Sequence, residues 1–298
     1  MVVKDPLLSG MPAGGIPHLR TALRDEVHVW LVQPASWRHA FEQDGLILSM
    51  DERAAAAAYT LVRLRERYRV AHCAVRRLLS LYDDRSPESW VFRRSKRGRP
   101  GIAGDSDLRF SLSYGDDLIA VAIARDVELG IDIVSTRRGV DALQIAEHAF
   151  APDEIAELRS MRVESARERF FDYWALKEAY AKATGAGFWK EPRHYAFSFP
   201  RQGAIAFRHD GDEDGGQWQF VLAGAPEDHR LALATRTGAG RPRDIVARIA
   251  PGCEVIALAA ERVFPEQELS AHWGHRHRDS CTPGCNTERS VPAAQRRR

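Results

Sequence analysis

Gly130-Ile131-Asp132-Ile133 and, about forty residues on, Trp174-Ala175-Leu176-Lys177-Glu178-Ala179-Tyr180-Ala181-Lys182 decide how this chain reads. The first lies in the run Glu128–Val134, which is short and apolar like a strand. Strand side chains point alternately to two faces, so Leu129, Ile131 and Ile133 share one face while Asp132 and Val134 share the other. A lone carboxylate on such a strand is costly to bury unless it is paired or binds a metal. Taken alone, a strand-end Asp in solvent is the better reading. The second stretch has helical spacing: Glu178 and Lys182, four residues apart, lie on one face, and Lys177 sits about 100° round from Glu178. Phe170, Tyr173, Leu176, Tyr180 and Ala183 form a stripe for burial. A bare Glu–Lys pair on a helix is ordinarily a surface salt bridge worth about 0.3–0.5 kcal/mol. Together, the two segments offer carboxylates for a divalent metal and cations for phosphate, on rigid elements. That combination suits chemistry on a phosphate ester or anhydride.

Around these segments the pattern predicts a strand at Val27–Gln33 and one long helix over Asp51–Tyr82. In that helix Leu64, Tyr68, Ala71, Val75, Leu78 and Tyr82 make an apolar face, and Arg63 and Arg67 stack on another. Strands follow at Trp90–Arg93, Leu108–Tyr114, Leu118–Ala124 and Glu128–Val134. Helices follow at Gly139–Phe150, Pro152–Met161 and Arg167–Thr184, then strands at Tyr195–Phe199, Ala204–Arg208, Trp218–Leu222, Leu231–Thr235 and Val255–Ala260. Both halves carry helix and antiparallel-looking sheet, which predicts an α+β protein of two similar-sized halves. Residues 1–25 read as a mobile leader, rich in Pro and Gly. The last stretch, 266–298, reads as a disordered tail. In that tail His272, His275, His277, Cys281 and Cys285 do not have the spacing of a common zinc finger, and disorder is the better reading.

Composition narrows the class further. The 298 residues carry 43 Lys+Arg against 41 Asp+Glu, a net charge of +2, which argues against a nucleic-acid partner. The four cysteines, Cys73, Cys253, Cys281 and Cys285, are scattered and suggest a reduced, cytoplasmic setting. No run approaches the roughly 18 apolar residues of a membrane span, and the N-terminus lacks the apolar region of a secretory signal. No membrane partner is expected.

Two more segments complete the pattern. Arg94-Ser95-Lys96-Arg97-Gly98-Arg99-Pro100-Gly101 places four cations in a loop with permissive backbone, where an anion could approach. Phe110-Ser111-Leu112-Ser113-Tyr114-Gly115 puts two serines on one face of a strand, able to donate to phosphate oxygens. Singly, a solvated turn and a polar sheet face explain them. In order, Gly98-Arg99-Pro100, Phe110 to Tyr114, Gly130-Ile131-Asp132, Phe150-Ala151-Pro152-Asp153-Glu154 and Trp174 to Lys182 resemble the motif series of the 4′-phosphopantetheinyl transferase superfamily. Within it they resemble the longer, two-halved Sfp-type members, over roughly residues 27–265.

The resemblance implies two similar α/β halves related by pseudo-two-fold symmetry, each with a small, mainly antiparallel sheet and a long helix. It divides the chain into an N-terminal half (26–125) for the nucleotide of coenzyme A and a C-terminal half (126–265) for metal and catalysis. It implies transfer of the phosphopantetheine arm of coenzyme A to a serine of an apo acyl or peptidyl carrier protein, with release of 3′,5′-ADP. Asp132 and Glu178 match Mg²⁺ ligands (Mn²⁺ being the alternative), and Glu154 matches an acid that joins or supports the metal. Lys182 matches the lysine near the pyrophosphate, and Lys177 a phosphate contact. Glu178, Glu154 or metal-bound water is the base. Arg67 and the loop Arg94, Lys96, Arg97, Gly98, Arg99 and Pro100 match the nucleotide site, with Ser113 and Tyr114 at the 3′-phosphate and Arg53 a weaker match. A monomer is expected, serving fatty acid, polyketide, peptide or lysine-pathway synthesis.

Two departures stand out. Tyr114 replaces a histidine and brings no positive charge near neutral pH. Val134 stands where many relatives have a metal-binding Glu. A binding protein without transfer activity, or another Mg²⁺-dependent phosphate enzyme, are the competing readings. The intact set Asp132, Glu178 and Lys182 argues against the first, and the near-neutral charge against a nuclease.

Overall fold

The computed structural model describes residues 15–37, 47–95, 98–185, 187, 192–201, 203–210, 217–237, 242–250, 254–256 and 261–263. All of these fall in one compact unit, Met1–Phe264. The tail of 266–298, with its His and Cys residues, lies outside the described residues, as do residues 1–14.

The first sheet has five strands in the order β12-β11-β1-β5-β4: β12 (Glu254–Ile256), β11 (Asp244–Ala250), β1 (Glu26–Val32), β5 (Ile119–Arg125) and β4 (Leu108–Tyr114). The second has six in the order β6-β10-β9-β13-β8-β7: β6 (Leu129–Ser135), β10 (His229–Arg236), β9 (Trp218–Ala225), β13 (Glu261–Val263), β8 (Ala204–His209) and β7 (Tyr195–Ser198). Pairing is antiparallel except for β1 with β11 and β13 with β8. A ribbon of β2 (Phe92–Arg94) and β3 (Pro100–Ile102) carries the basic loop. The helices are α1 (Gly15–Ala22), α2 (Met50–Ala57), α3 (Val62–Leu79), α4 (Ala142–Ala149), α5 (Pro152–Ser160) and α6 (Val163–Thr184). The fold is mixed α+β, with α3 packed on the first sheet and α6 on the second.

Strand alternation explains how the layers stack. Trp30, Val32, Ile119, Val121 and Ile123 face α3 and pack with Val70, Ala74 and Leu78. The intervening Val29, Leu31, Ala120, Ala122 and Ala124 face the other way, onto Leu129, Ile131 and Ile133 of the second sheet. Phe220, Leu222, Ala232 and Ala234 turn from that middle layer to α6. The order is therefore helix, sheet, sheet, helix. The alanines of β5 supply little bulk to the middle layer, so the sheets can approach closely.

Three expectations are corrected. The leader is ordered over its described part: α1 occupies Gly15–Ala22, and Leu19 and Leu23 are buried in the first core. The single helix over Asp51–Tyr82 is two. It breaks at Ala58–Leu61, and α2 folds onto α3 so that Glu52 reaches Arg76 (2.8 Å) and His72 (3.1 Å). Glu52 also closes a capping box with Ser49. Burial pushes its carboxyl up, but the bonds from His72, Arg76 and the Ser49 amide override that and hold it at about 2. Finally, β11 was not expected. It pairs with β1 beyond the sequence midpoint, so Asp244–Ala250 completes the first sheet. Of the strand expected at Val255–Ala260, residues 257–260 lie outside the described residues.

Candidate active site

The site forms where the edge strands of the two sheets, β4 and β6, meet the last two turns of α6. Gly130 makes that meeting close. A Cβ there would stand 2.0 Å from the Ala179 carbonyl and 2.4 Å from the Ala183 amide, so only glycine lets α6 lie on β6 at this distance. Asp132, two residues along the same strand face, is brought against the same helix and its Lys182. On the opposite side, serines of β4 replace a backbone ladder. Ser111 accepts from the Ile131 amide (3.1 Å) and Ser113 from the Ile133 amide (3.2 Å), satisfying two amides on an edge strand.

Ser113 is the centre of the polar cluster. Its hydroxyl donates to Asp132 Oδ1 at 2.8 Å and accepts from Lys182 Nζ at 2.8 Å. Lys182 Nζ also reaches Asp132 Oδ1 at 2.6 Å and the Ile131 carbonyl at 3.1 Å. The Asp132 side chain is 9% exposed and that of Lys182 29%. Glu178 sits one turn before Lys182. Burial raises its carboxyl to about 7, helped by the nearby charge of Asp132 and opposed by Lys182. Glu178, Lys182, Gly98, Arg99, Pro100 and Gly185 line a pocket of about 240 Å³.

Arg99 holds the wall of this pocket together. Its guanidinium donates to the Ala183 carbonyl (2.5 Å) at the end of α6 and to the Leu129 carbonyl (3.0 Å) of β6. That end carries the negative pole of the helix, which favours a cation. Arg99 therefore spends part of its guanidinium on the protein, while Arg94 donates to the Gly98 carbonyl (3.1 Å) on the exposed ribbon. Arg67 donates to the Gly115 carbonyl (2.7 Å), and its guanidinium carbon lies 5.6 Å from the Tyr114 ring centre. Burial raises the Tyr114 phenol, which keeps it neutral at ordinary pH. Arg53 is exposed on α2. Lys96 and Arg97 lie outside the described residues.

Two expected site residues are not brought to this cluster. Glu154 is 1% exposed and accepts from the Ala151 amide (2.8 Å), the Phe197 amide (2.9 Å) and Lys177 Nζ (2.9 Å). Lys177 is fully buried and also donates to the carbonyls of Pro192 and Tyr195, each at 2.6 Å. Burial drives Glu154 up and Lys177 down, while their mutual attraction opposes both. With every visible bond directed into the core, this pair pins α5 and β7 to α6. The expected metal role of Glu154 and phosphate role of Lys177 draw no support from these bonds. Among the described residues no group of three or more His, Cys, Asp or Glu is close enough to hold a metal. Sequence reasoning missed Arg138, which pairs with Asp116 (2.9 Å) and feels the charge of Asp132. Its place just after the Asp132 strand was the available signal.

The family model described as "4′-phosphopantetheinyl transferase superfamily" matches residues 128–234, the span that holds Asp132, Glu178 and Lys182. The 4′-phosphopantetheinyl transferase HetI of Nostoc sp. is 34% identical over 171 residues, 56% of this chain and 72% of that protein. The chain belongs to the 4′-phosphopantetheinyl transferase superfamily. Another such transferase, gsp of Aneurinibacillus migulanus, is 30% identical over 50% of this chain and 61% of its own. The phosphopantetheinyl transferase of Thraustochytrium sp. is 26% identical over 77% of this chain and 86% of its own. Among solved structures, a holo-[acyl-carrier-protein] synthase of Thermotoga maritima aligns with a TM-score of 0.30 and 23% identity, over 37% of this chain and 63% of that one. Transferases of this superfamily move phosphopantetheine from coenzyme A to carrier proteins. No helix among the described residues of this transferase is long and apolar enough to cross a membrane.

Proposed function

We propose that this chain moves the 4′-phosphopantetheine group of coenzyme A onto a serine of an apo acyl or peptidyl carrier protein, with Mg²⁺, releasing 3′,5′-ADP. The observation that carries the reading is the convergence of Asp132, Glu178 and Lys182 beside one pocket walled by the ribbon, β4 and α6. The donor set fits a hard divalent cation. Asp132 and Glu178 are close enough for one charge to raise the other, and among the described residues burial and charges set the Glu178 carboxyl. A cation held by Asp132 and Glu178 would neutralise charge on the pyrophosphate. Mn²⁺ suits the same oxygens.

In this reading the pyrophosphate lies in the pocket beside Lys182. The carrier serine oxygen attacks the β-phosphorus, and the bond from that phosphorus to the 3′,5′-ADP oxygen breaks. Glu178 takes the serine proton, because its carboxyl borders the pocket while Glu154 is sealed in the core. Lys182 offsets the charge that builds on the leaving phosphate. Arg67 and the ribbon arginines hold the nucleotide end. Positioning and charge neutralisation supply most of the acceleration. In this reading the enzyme is a cytoplasmic monomer that acts without nucleic acid or membrane.

The test is the intact mass of apo carrier proteins after incubation with the transferase, coenzyme A and Mg²⁺. A gain of one phosphopantetheine group, abolished by chelator, is expected. Asp132→Ala and Glu178→Ala are each expected to lose at least about a hundredfold in rate with an unchanged circular dichroism spectrum. Near-normal turnover in either variant would remove the metal-site assignment.

A further inference from the structure

The ammonium of Lys182 sits on one oxygen of the carboxylate that would hold the metal. Nζ lies 2.6 Å from Asp132 Oδ1, and its two other bonds go to Ser113 Oγ and the Ile131 carbonyl. Three acceptors satisfy the three protons of an ammonium. Ser113 makes this seat. Buried at 3% exposure, it accepts from Lys182 and from the Ile133 amide, and turns its own proton to Asp132 Oδ1. The hydroxyl is thus committed to the protein on all sides, which is not the posture of a group waiting for a phosphate.

We propose that Ser113 is a positioning residue that seats Lys182 on Asp132 as a resident cation, so that a divalent ion and the Lys182 ammonium compete for that carboxylate. The inference rests on the metal reading of Asp132 given above. It follows from charge and occupancy. Without a cation beside it, a carboxylate that is 9% exposed next to Glu178 would bear an uncompensated charge. Lys182 removes that cost in the empty site. A divalent ion held by the same carboxylate would bring two charges to it and make the ammonium redundant there. Lys182 is 29% exposed and borders the pocket, so its freed end has open space to enter. Metal loading and the release of Lys182 toward the pyrophosphate are then one event.

Mn²⁺ binding to the full chain, read by electron paramagnetic resonance without coenzyme A, tests this. Lys182→Met is expected to bind Mn²⁺ on the order of tenfold more tightly than the parent, because no ammonium must be displaced. Ser113→Ala, which removes one of three acceptors, is expected to tighten binding by a smaller factor. Equal or weaker binding by a folded Lys182→Met protein overturns the proposal. A second readout does not depend on that variant: the rate of reductive methylation of Lys182, followed by peptide mass spectrometry. Mg²⁺ is expected to speed it several-fold, and an unchanged or slower rate counts against the exchange. If the parent binds no Mn²⁺, or binds it equally well after Asp132→Ala, the metal reading itself fails. That outcome differs from tight, Asp132-dependent binding that Lys182→Met leaves unchanged.

Discussion

Glu178 is held in a state that a protein selected for stability alone would avoid. Its carboxyl is raised to about 7, chiefly by burial and then by Asp132. The folded chain therefore holds a proton at Glu178 that the unfolded chain has already lost above about 4.5. The sign follows from linkage. Stability drawn from this group is fully present below about 4.5 and declines as pH rises to about 7. Glu178→Gln, which does not titrate, is expected to match the parent near pH 4 and to exceed it at pH 8, by at most about 3 kcal/mol. Urea unfolding in the presence of chelator at both values checks this. A difference that does not grow with pH contradicts it. The same logic gives Lys177 and Glu154 the opposite character. They are joined to each other and to four backbone groups, and their burial is structural.

At the scale of elements, the contact between β6 and α6 carries the site. Gly130 sets the distance between them, so Gly130→Ala forces the helix off the strand. Loss of about 1–3 kcal/mol in stability is expected. A fall in transfer rate should accompany it, because Lys182 leaves Asp132 with the helix. Thermal unfolding and carrier modification measure the two. A stable, fully active Gly130→Ala protein would show that the close approach is dispensable. Much of this element-level order was legible in sequence. Alternation gave β4 its bounds, Leu108–Tyr114, and the stripe Phe170, Tyr173, Leu176, Tyr180 and Ala183 on α6 is buried. The triad Asp132, Glu178 and Lys182 was legible because strand and helix periods each put its members on one face. The core bonds of Glu154 and Lys177 were not legible, because nearness in a motif says nothing about which side of a helix a residue faces. Lys177 is next to Glu178 in sequence but turns into the core. The break between α2 and α3 was hidden too. The alanine run favours helix, while the bonds of Arg76 and His72 to Glu52, distant in sequence, hold it folded back.

For the whole molecule, the middle layer makes the two sheets interdependent. Val29, Leu31 and the β5 alanines are buried only because Ile131, Ile133, Leu231 and Leu233 cover them. The serine bonds from β4 to β6 join the same sheets along their edges. Sequence could not show this joint, because two serines on one strand face read equally well as free donors, and no pattern reveals that they accept the amides of a neighbouring strand. The parallel pairing of β1 with β11 has a different reach. As the ribosome releases this chain, β1 emerges more than two hundred residues before the strand that will cover its flank. Val27 to Val32 is buried on both faces in the finished protein, so the nascent segment is an apolar ribbon with an open edge. A chain ending at Pro242 is therefore expected to go into inclusion bodies where the full chain stays in solution, as a pelleting assay would register. A soluble truncated chain would mean that β1 needs no such cover. Synthesis of this transferase should thus lean on chaperones for β1 until its last strands arrive.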